Sequence, residues 1–338
     1  MSLSRLDLLR EKAKSDLKRI VLPEGDDARV LEAAVKISRD GIAKITVLGD
    51  TEEVLTLAES SSLDIKSSGV QLVNPVSCGM TDEIARTFYD LRKHKGISPD
   101  EARKTVLENR VFYGALMTRL GDADGFVAGA SHKTADVARA SIYCLEIDPN
   151  AGVVSSAFVI GLDDCQYGEG GLFVYGDCAV IPDPNPDQLA CIAISCGLLM
   201  ERLFDVKARV ALLSYSTKGS ARGNSIDKVR SALQIVKSKA PGLAADGELQ
   251  ADAAIVPEVA DIKARGSNVA GMANVLIFPN LDSGNICYKI TQRLGKARVV
   301  GPMIQGCLQP ASDLSRGCGV EEIIDAVTVT AVRAQANK

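Results

Sequence analysis

No glycine-rich segment of the 338 residues has the GxxxxGK[ST] order of a nucleotide P-loop, and no GxGxxG joins a first strand to a helix. Neither ATP nor a dinucleotide is implied. The nine cysteines, Cys78, Cys144, Cys165, Cys178, Cys191, Cys196, Cys287, Cys307 and Cys318, include no CxxC pair and no Cys/His metal spacing, so they read as reduced thiols. Histidine is scarce, with only His94 and His132. No window reaches the ~18 apolar residues of a membrane span, and the N-terminal MSLSRLDLLREKAKSD is charged and amphipathic where a signal peptide would be apolar. These absences point to a soluble, cytoplasmic protein. The balance of 39 basic against 43 acidic residues, a formal charge of -4, supplies no global field for nucleic acid or an anionic membrane. An anionic ligand must therefore be met by a local cluster.

One such cluster is DLSRGC at 313–318, which sets a hydroxyl, a guanidinium and a thiol within four residues. Arg316 offers a planar fork matched to phosphate or carboxylate. Ser315 can donate to a developing oxyanion, and Gly317 permits close backbone approach. The helix expected from Val320, Glu321, Glu322, Ile323 and Ile324 directs its positive end to the same place. Taken alone, the hexapeptide also fits a surface turn in which Arg316 pairs with Glu321 or Glu322.

Hydrophobic content of 46% over this length suits two domains, each with its own core. Short apolar runs alternate with amphipathic stretches, which predicts an α/β fold of mostly parallel sheets with helices on both faces. Strands are expected at 19–23, 45–50, 70–75 and 125–129, and helices at 27–38 and 81–94. After the turn formers DPNAG, the runs 153–162 and 171–182 read as a hairpin around DDCQYGEGG. A helix at 186–204 and strands at 210–215, 274–279 and 297–302 follow. The absence of a Pro/Ser-rich linker implies short domain joints and an active-site cleft between two lobes.

PEGDDARVLEAA at 23–34, ADGFVAGASHKTADVARA at 123–140, SYSTKGSA at 214–221, DGELQADAA at 246–254, FPNLDSGNICYKITQRLG at 278–295 and GPMIQG at 301–306 join DLSRGC in one order. Together they closely resemble the phosphate acetyltransferase, or phosphotransacetylase, family from about Arg19 to the C-terminus. The resemblance implies a first domain of 1–147 plus 300–338 with a second, 148–299, inserted, and it implies a homodimer. It also implies reversible transfer of an acetyl group between acetyl phosphate and coenzyme A, with no cofactor and no metal. That reaction requires loss of a thiol proton from a group of pKa about 8.5, polarisation of an acyl carbonyl, and a grip on phosphate.

By the resemblance, Arg316 grips acetyl phosphate, Ser315 bonds the carbonyl or tetrahedral oxygen, and Glu322 is the base for the thiol. Family members commonly carry Asp at this last position, so the chain departs by one methylene; otherwise Glu322 is a helix-end carboxylate. Arg139 follows the GAxHxT block as a second guanidinium, or snorkels from a core helix. Arg92 and Lys93 match a basic cluster that would hold the phosphates of coenzyme A, or they form a solvated helix end. Cys165 lies where the family has an active-site cysteine; no histidine is near it in sequence, which favours direct thiolate attack over an acetyl-enzyme. Cys318 is expected to pack behind the loop. His132, at the end of a strand, sits where ligands gather in α/β folds or makes a structural hydrogen bond. The loop 214–220 ends another strand, and Asp246, Glu248, Gln250 and Asp252 are assigned no metal. Two other activities remain open: the same reaction on a longer acyl chain, as in phosphate butyryltransferases, and an NAD-dependent hydroxyacid dehydrogenase. A binding module that kept the fold is the third alternative.

Overall fold

The computed structural model describes residues 5–336, so the first four residues of the amphipathic N-terminal stretch lie outside it. The chain divides into two compact units, 1–148 with 307–338, and 149–306. The sequence reading ends the insert at 299, within a strand that the structure continues to Gln305.

The first unit runs α1 (Arg5–Lys14), β1 (Arg19–Leu22), α2 (Ala28–Arg39), β2 (Lys44–Leu48), α3 (Thr51–Ser60), β3 (Gln71–Val73), α4 (Thr81–Arg92), α5 (Pro99–Glu108), α6 (Arg110–Leu120), β4 (Gly125–Ala128) and α7 (Thr134–Cys144). The second holds β5 (Ser155–Gly161), β6 (Leu172–Gly176), α8 (Pro186–Phe204), β7 (Arg209–Leu213), α9 (Asn224–Lys239), β8 (Ala244–Leu249), α10 (Ala251–Ile255), α11 (Pro257–Lys263), β9 (Val275–Ile277), α12 (Leu281–Leu294) and β10 (Arg298–Gln305). The chain then re-enters the first unit as β11 (Ala311–Asp313) and α13 (Val320–Gln335).

In the first unit the strands pair in parallel, in the order β3, β2, β1, β4, β11. Parallel strands covered by helices are buried on both faces, which is why residues 20–22 of β1 and all of GFVA read as unbroken apolar runs. α2 turns Val30, Ala33, Ala34 and Ile37 inward, and Asp27 caps it by accepting the Arg29 N–H. α13 presses on β4: a Cβ at Gly125 would lie 2.7 Å from Thr330 Cγ2, so a side chain there would force the helix off the sheet. Along its length Ile323, Val327, Ala331 and Val332 are buried, each large aliphatic contributing about 1.5–3 kcal/mol by leaving water.

In the second unit β10, β5 and β6 pair antiparallel, and β6, β9, β7 and β8 continue in parallel. The expected hairpin is β5–β6, but its second strand stops at Gly176, short of the 182 read from apolar runs. Asp177 takes the N–H groups of Ala179, Val180 and Ile181 on its carboxylate, which draws the backbone out of the ladder. The core gathers Phe158, Phe173, Tyr175 and Phe278, with Phe158 stacked on Tyr288 at 4.3 Å between ring centroids.

Candidate active site

Parallel α/β sheets present ligands with the carboxyl ends of their strands, and in the first unit β4 and β11 end side by side, with Asp313 in register with Ala128. The segment 129–132 therefore runs beside 314–316. The sequence reading puts all of 313–318 in a loop; the structure gives Asp313 to β11 and starts the loop at Leu314, whose N–H donates to Ala128 O at 2.8 Å.

Ser315 and Arg316 are exposed. Ser315 Oγ accepts weakly from Gly317 N at 3.3 Å, and its carbonyl takes the Cys318 N–H at 2.9 Å. The Arg316 guanidinium has no ion pair or hydrogen bond among the described residues. The pairing with Glu321 or Glu322 that would have made it a structural arginine does not form. Glu321 goes to Arg10 at 2.9 Å, and Glu322 Oε2 takes the Gly319 N–H at 2.7 Å at the start of α13. Glu322 is thus a helix-end carboxylate in this structure, one oxygen committed to its own helix. Cys318 is buried behind the loop, and burial pushes its thiol up to about 11.

The loop is fixed by a residue the sequence reading assigned no chemistry. Arg29, on the first turn of α2, donates from Nη1 to Arg316 O at 3.0 Å and Cys318 O at 2.8 Å, and from Nη2 to Ala130 O at 2.9 Å. One guanidinium thus ties both strand-end segments together while Asp27 holds it at 2.6 Å. Such a fork, worth about 1.5–3 kcal/mol per charged hydrogen bond, leaves Arg316 free to meet a ligand.

Glu24 is the second unassigned group. Its carboxylate, 1% exposed, accepts the N–H groups of Gly129, Ala130, Ser131 and His132 at 2.9 to 3.0 Å, the Ser131 hydroxyl, and His132 Nδ1 at 2.7 Å. Burial alone would raise its pKa, but the His132, Ser131 and Ala130 donors outweigh burial and hold it at about 2. Asp313 meets the opposite fate two residues before Ser315. Fully buried, with neither oxygen in a well-formed hydrogen bond, it is pushed up to about 7 by burial, and the pull of Thr134 and the Leu314 N–H falls short. Gly129, at φ +115°, is obligatory beside it, since a Cβ there would collide with Asp313 Oδ1. Both Glu24 and Arg29 belong to PEGDDARVLEAA, so the only available signal for them was that block itself.

Of the other expected residues, Arg92 stacks on Tyr143 at 3.8 Å from the ring centroid. Tyr143 and Arg139 are one turn apart on α7, so Arg92, reaching over from the end of α4, lies against the α7 face that carries Arg139. Arg139 is half-exposed and bonds Asp136 at 3.1 Å, whereas Lys93 is drawn into an exposed pair with Asp90 at 2.9 Å. Cys165 belongs to the second unit, where it packs against the Phe158 core. Residues 149–306 contain no histidine that could activate its thiol.

Also in the second unit, the loop 214–221 is sewn to β8. Ser216 Oγ and Gly219 N donate to Glu248 Oε1 at 2.9 and 2.8 Å, Arg230 pairs with the same carboxylate at 2.8 Å, and Lys218 pairs with buried Asp246. Burial would raise Glu248, but Arg230 and Gly219 hold it at about 2. These carboxylates are spent on protein donors.

A family model described as phosphate acetyl/butaryl transferase matches residues 4–331. The chain belongs to this family. It is similar to the phosphate acetyltransferase of Acetivibrio thermocellus, at 48% identity over 98% of this chain and 99% of that protein. The enzyme of the same name from Thermoanaerobacterium thermosaccharolyticum is 46% identical over 98% and 100%. Among solved structures, a phosphotransacetylase from Streptococcus pyogenes superposes with a TM-score of 0.90 at 38% identity, covering 98% of both chains. In this family member, the Ser315–Arg316 loop, the Arg29 clamp and the Arg92–Arg139 face all lie in the first unit.

Proposed function

We propose that this acyltransferase is a phosphate acetyltransferase, moving an acetyl group reversibly between acetyl phosphate and the thiol of coenzyme A. The observation that carries this reading is the unpartnered Arg316 guanidinium beside Ser315, on a loop whose carbonyls are held by Arg29. A rigid loop with a free bidentate cation is suited to an acyl phosphate, and the adjacent hydroxyl to the oxyanion that forms as the carbonyl becomes tetrahedral. Arg139 on α7 and Arg92, reaching from α4 over Tyr143 of α7, supply further positive charge for the phosphates of either substrate.

Thiolate attack then occurs directly on bound acetyl phosphate, with Glu322 as the base and no covalent enzyme intermediate. Cys165 has no histidine in its own unit, which supports this route over an acetylated thiol. The enzyme works without nucleotide, cofactor or added metal. Its location is the cytoplasm, supported by nine cysteines that are all unpaired and by the finding that no helix among the described residues is long and apolar enough to cross a membrane. The assay is formation of acetyl-CoA from acetyl phosphate and coenzyme A, followed by thioester absorbance after exhaustive chelation. Absence of thioester would overturn the reading, and butyryl phosphate as the preferred donor would move the chain to the longer-acyl class. The enzyme forms a homodimer; α12 supports this with Ile286, Ile290 and Leu294, which are 58%, 52% and 81% exposed at helical spacing. Light scattering of Ile290→Asp against the parent tests it, and a parent that elutes as a monomer would refute it.

A further inference from the structure

Proton balance poses a question that the residues above do not answer. Acetyl phosphate dianion and a thiol give a thioester and hydrogen phosphate, so the proton that leaves sulfur must end on the phosphate. A phosphate departing as the bare trianion would be a poor leaving group, and Arg316, with no transferable proton at working pH, can only neutralise charge. A group that carries a proton beside the Arg316 loop would spare the phosphate that charge.

We propose that His132 is that group: its Nε2 hydrogen is given to the phosphate oxygen as the carbon–oxygen bond breaks, and is taken back from phosphate in the reverse reaction. The geometry supplies each element of this assignment. The register of β4 with β11 sets the segment 129–132 alongside 314–316, and Arg29 bonds Ala130 O and Arg316 O with one guanidinium. Buried Glu24 accepts from His132 Nδ1 at 2.7 Å and from the His132 backbone at 3.0 Å, which fixes both the ring orientation and the tautomer. Nε2 has no partner among the described residues, and the side chain is 29% exposed, so the ring's outer edge is available to a ligand. The arrangement is a carboxylate that orients an imidazole and stabilises its charged form. In the acetyl-CoA-forming direction, Glu322 removes the thiol proton, sulfur bonds to the carbonyl carbon, and the carbon–oxygen bond breaks with its electron pair on phosphate. The His132 proton then moves to that oxygen, and solvent returns the Glu322 proton to the imidazole. Glu24 raises the His132 pKa first and most, against burial; Asp26 on the loop after β1 raises it further, and Arg110 from α6, itself paired with Asp26, lowers it. The Arg29–Asp27 pair lies behind Ala130. The Glu24 hydrogen bond thus favours the charged ring, the form that carries a hydrogen on Nε2.

This inference rests on the acetyl-transfer reading, and the experiment separates the two. Asn places an amide nitrogen where Nδ1 lies, so His132→Asn keeps the Glu24 hydrogen bond and removes only the outer nitrogen. The variant is expected to lose about 10²- to 10⁴-fold in kcat, with less than a threefold change in KM for acetyl phosphate. The parent's fall in rate as pH rises past the imidazole's pKa should vanish from the variant's profile. His132→Ala supplies a second route: added imidazole should restore part of its turnover. If the parent makes acetyl-CoA and His132→Asn matches it at every pH, or only KM rises, His132 carries no proton and the inference fails alone. A parent that makes no thioester fails the broader reading instead.

Discussion

Asp313 gives the most quantitative test of the site's construction. Its ordinary pKa of 3.8 is pushed to about 7 because a fully buried carboxyl next to ionised Glu24 makes no well-formed hydrogen bond that would stabilise its charge, and the pull of Thr134 and the Leu314 N–H is too weak to offset burial. Folding therefore favours the protonated acid. The sign follows from linkage: this contribution is fully present below the unfolded pKa and is lost as pH rises through the folded one. At about 1.36 kcal/mol per pH unit, the whole effect is on the order of 4 kcal/mol, and the part lost between pH 5 and pH 8 is about 2.5 kcal/mol. Asp313→Asn removes the titration while keeping the shape. Its amide brings two donors into a buried place at a cost of about 1–3 kcal/mol, but that cost does not depend on pH. Urea titrations by circular dichroism at pH 5, 6, 7 and 8 should show the variant gaining on the parent by about 2.5 kcal/mol from the lowest to the highest pH. Other titrating groups, including Glu24 held at about 2, are common to both proteins and cancel. A gap between the two that stays constant across pH would show that Asp313 is ionised throughout and that the burial argument is wrong.

Arg29→Lys leaves one ammonium where a fork bonds three carbonyls; hydrogen exchange of the 315–318 amides should quicken and KM for acetyl phosphate should rise about tenfold, in line with about 1.5 kcal/mol for one charged hydrogen bond. Arg316→Lys keeps charge but not bidentate geometry and should lower kcat/KM for acetyl phosphate by about 10- to 100-fold in steady-state assays, with an unchanged circular dichroism spectrum. Glu322→Gln can still accept the Gly319 N–H, so helix stability should hold to within about 1 kcal/mol while turnover falls about 10²- to 10⁴-fold. Glu322→Asp should retain more activity than Glu322→Gln, and equal rates for Gln and Glu would return Glu322 to capping alone. Cys165→Ala should keep at least about half of the parent's turnover, since a thiol without a base contributes little nucleophilic catalysis; a trapped acetyl-Cys165 that turns over at the catalytic rate would refute direct transfer.

Much of the fold could be read from local signals. The 186–204 helix and the strands at 19–22 and 125–128 are apolar patterns whose period is set within each segment, and burial only ratified them. Helix α6 is not legible in the sequence: it is buried along most of its length, from Val111 to Thr118, so it shows no polar face and no 3.6-residue stripe. Strand β8 was likewise hidden, because Asp246 and Glu248 are buried acids neutralised by Lys218 and Arg230 from other segments.

For the site, the sequence by itself determined which residue types stand at 315, 316 and 139, and through DLSRGC and its companion blocks the family and its chemistry. Those are properties of short stretches, legible wherever the order of side chains is enough. Tertiary structure alone decided what each charge does. Arg29 reaches carbonyls 101 and 287 to 289 residues away, Glu24 meets His132 across 108 residues, and two acids a few ångströms from one turn differ because one is surrounded by donors and the other is not. Charge state is set by desolvation and by partners in space, and neither is a function of spacing along the chain.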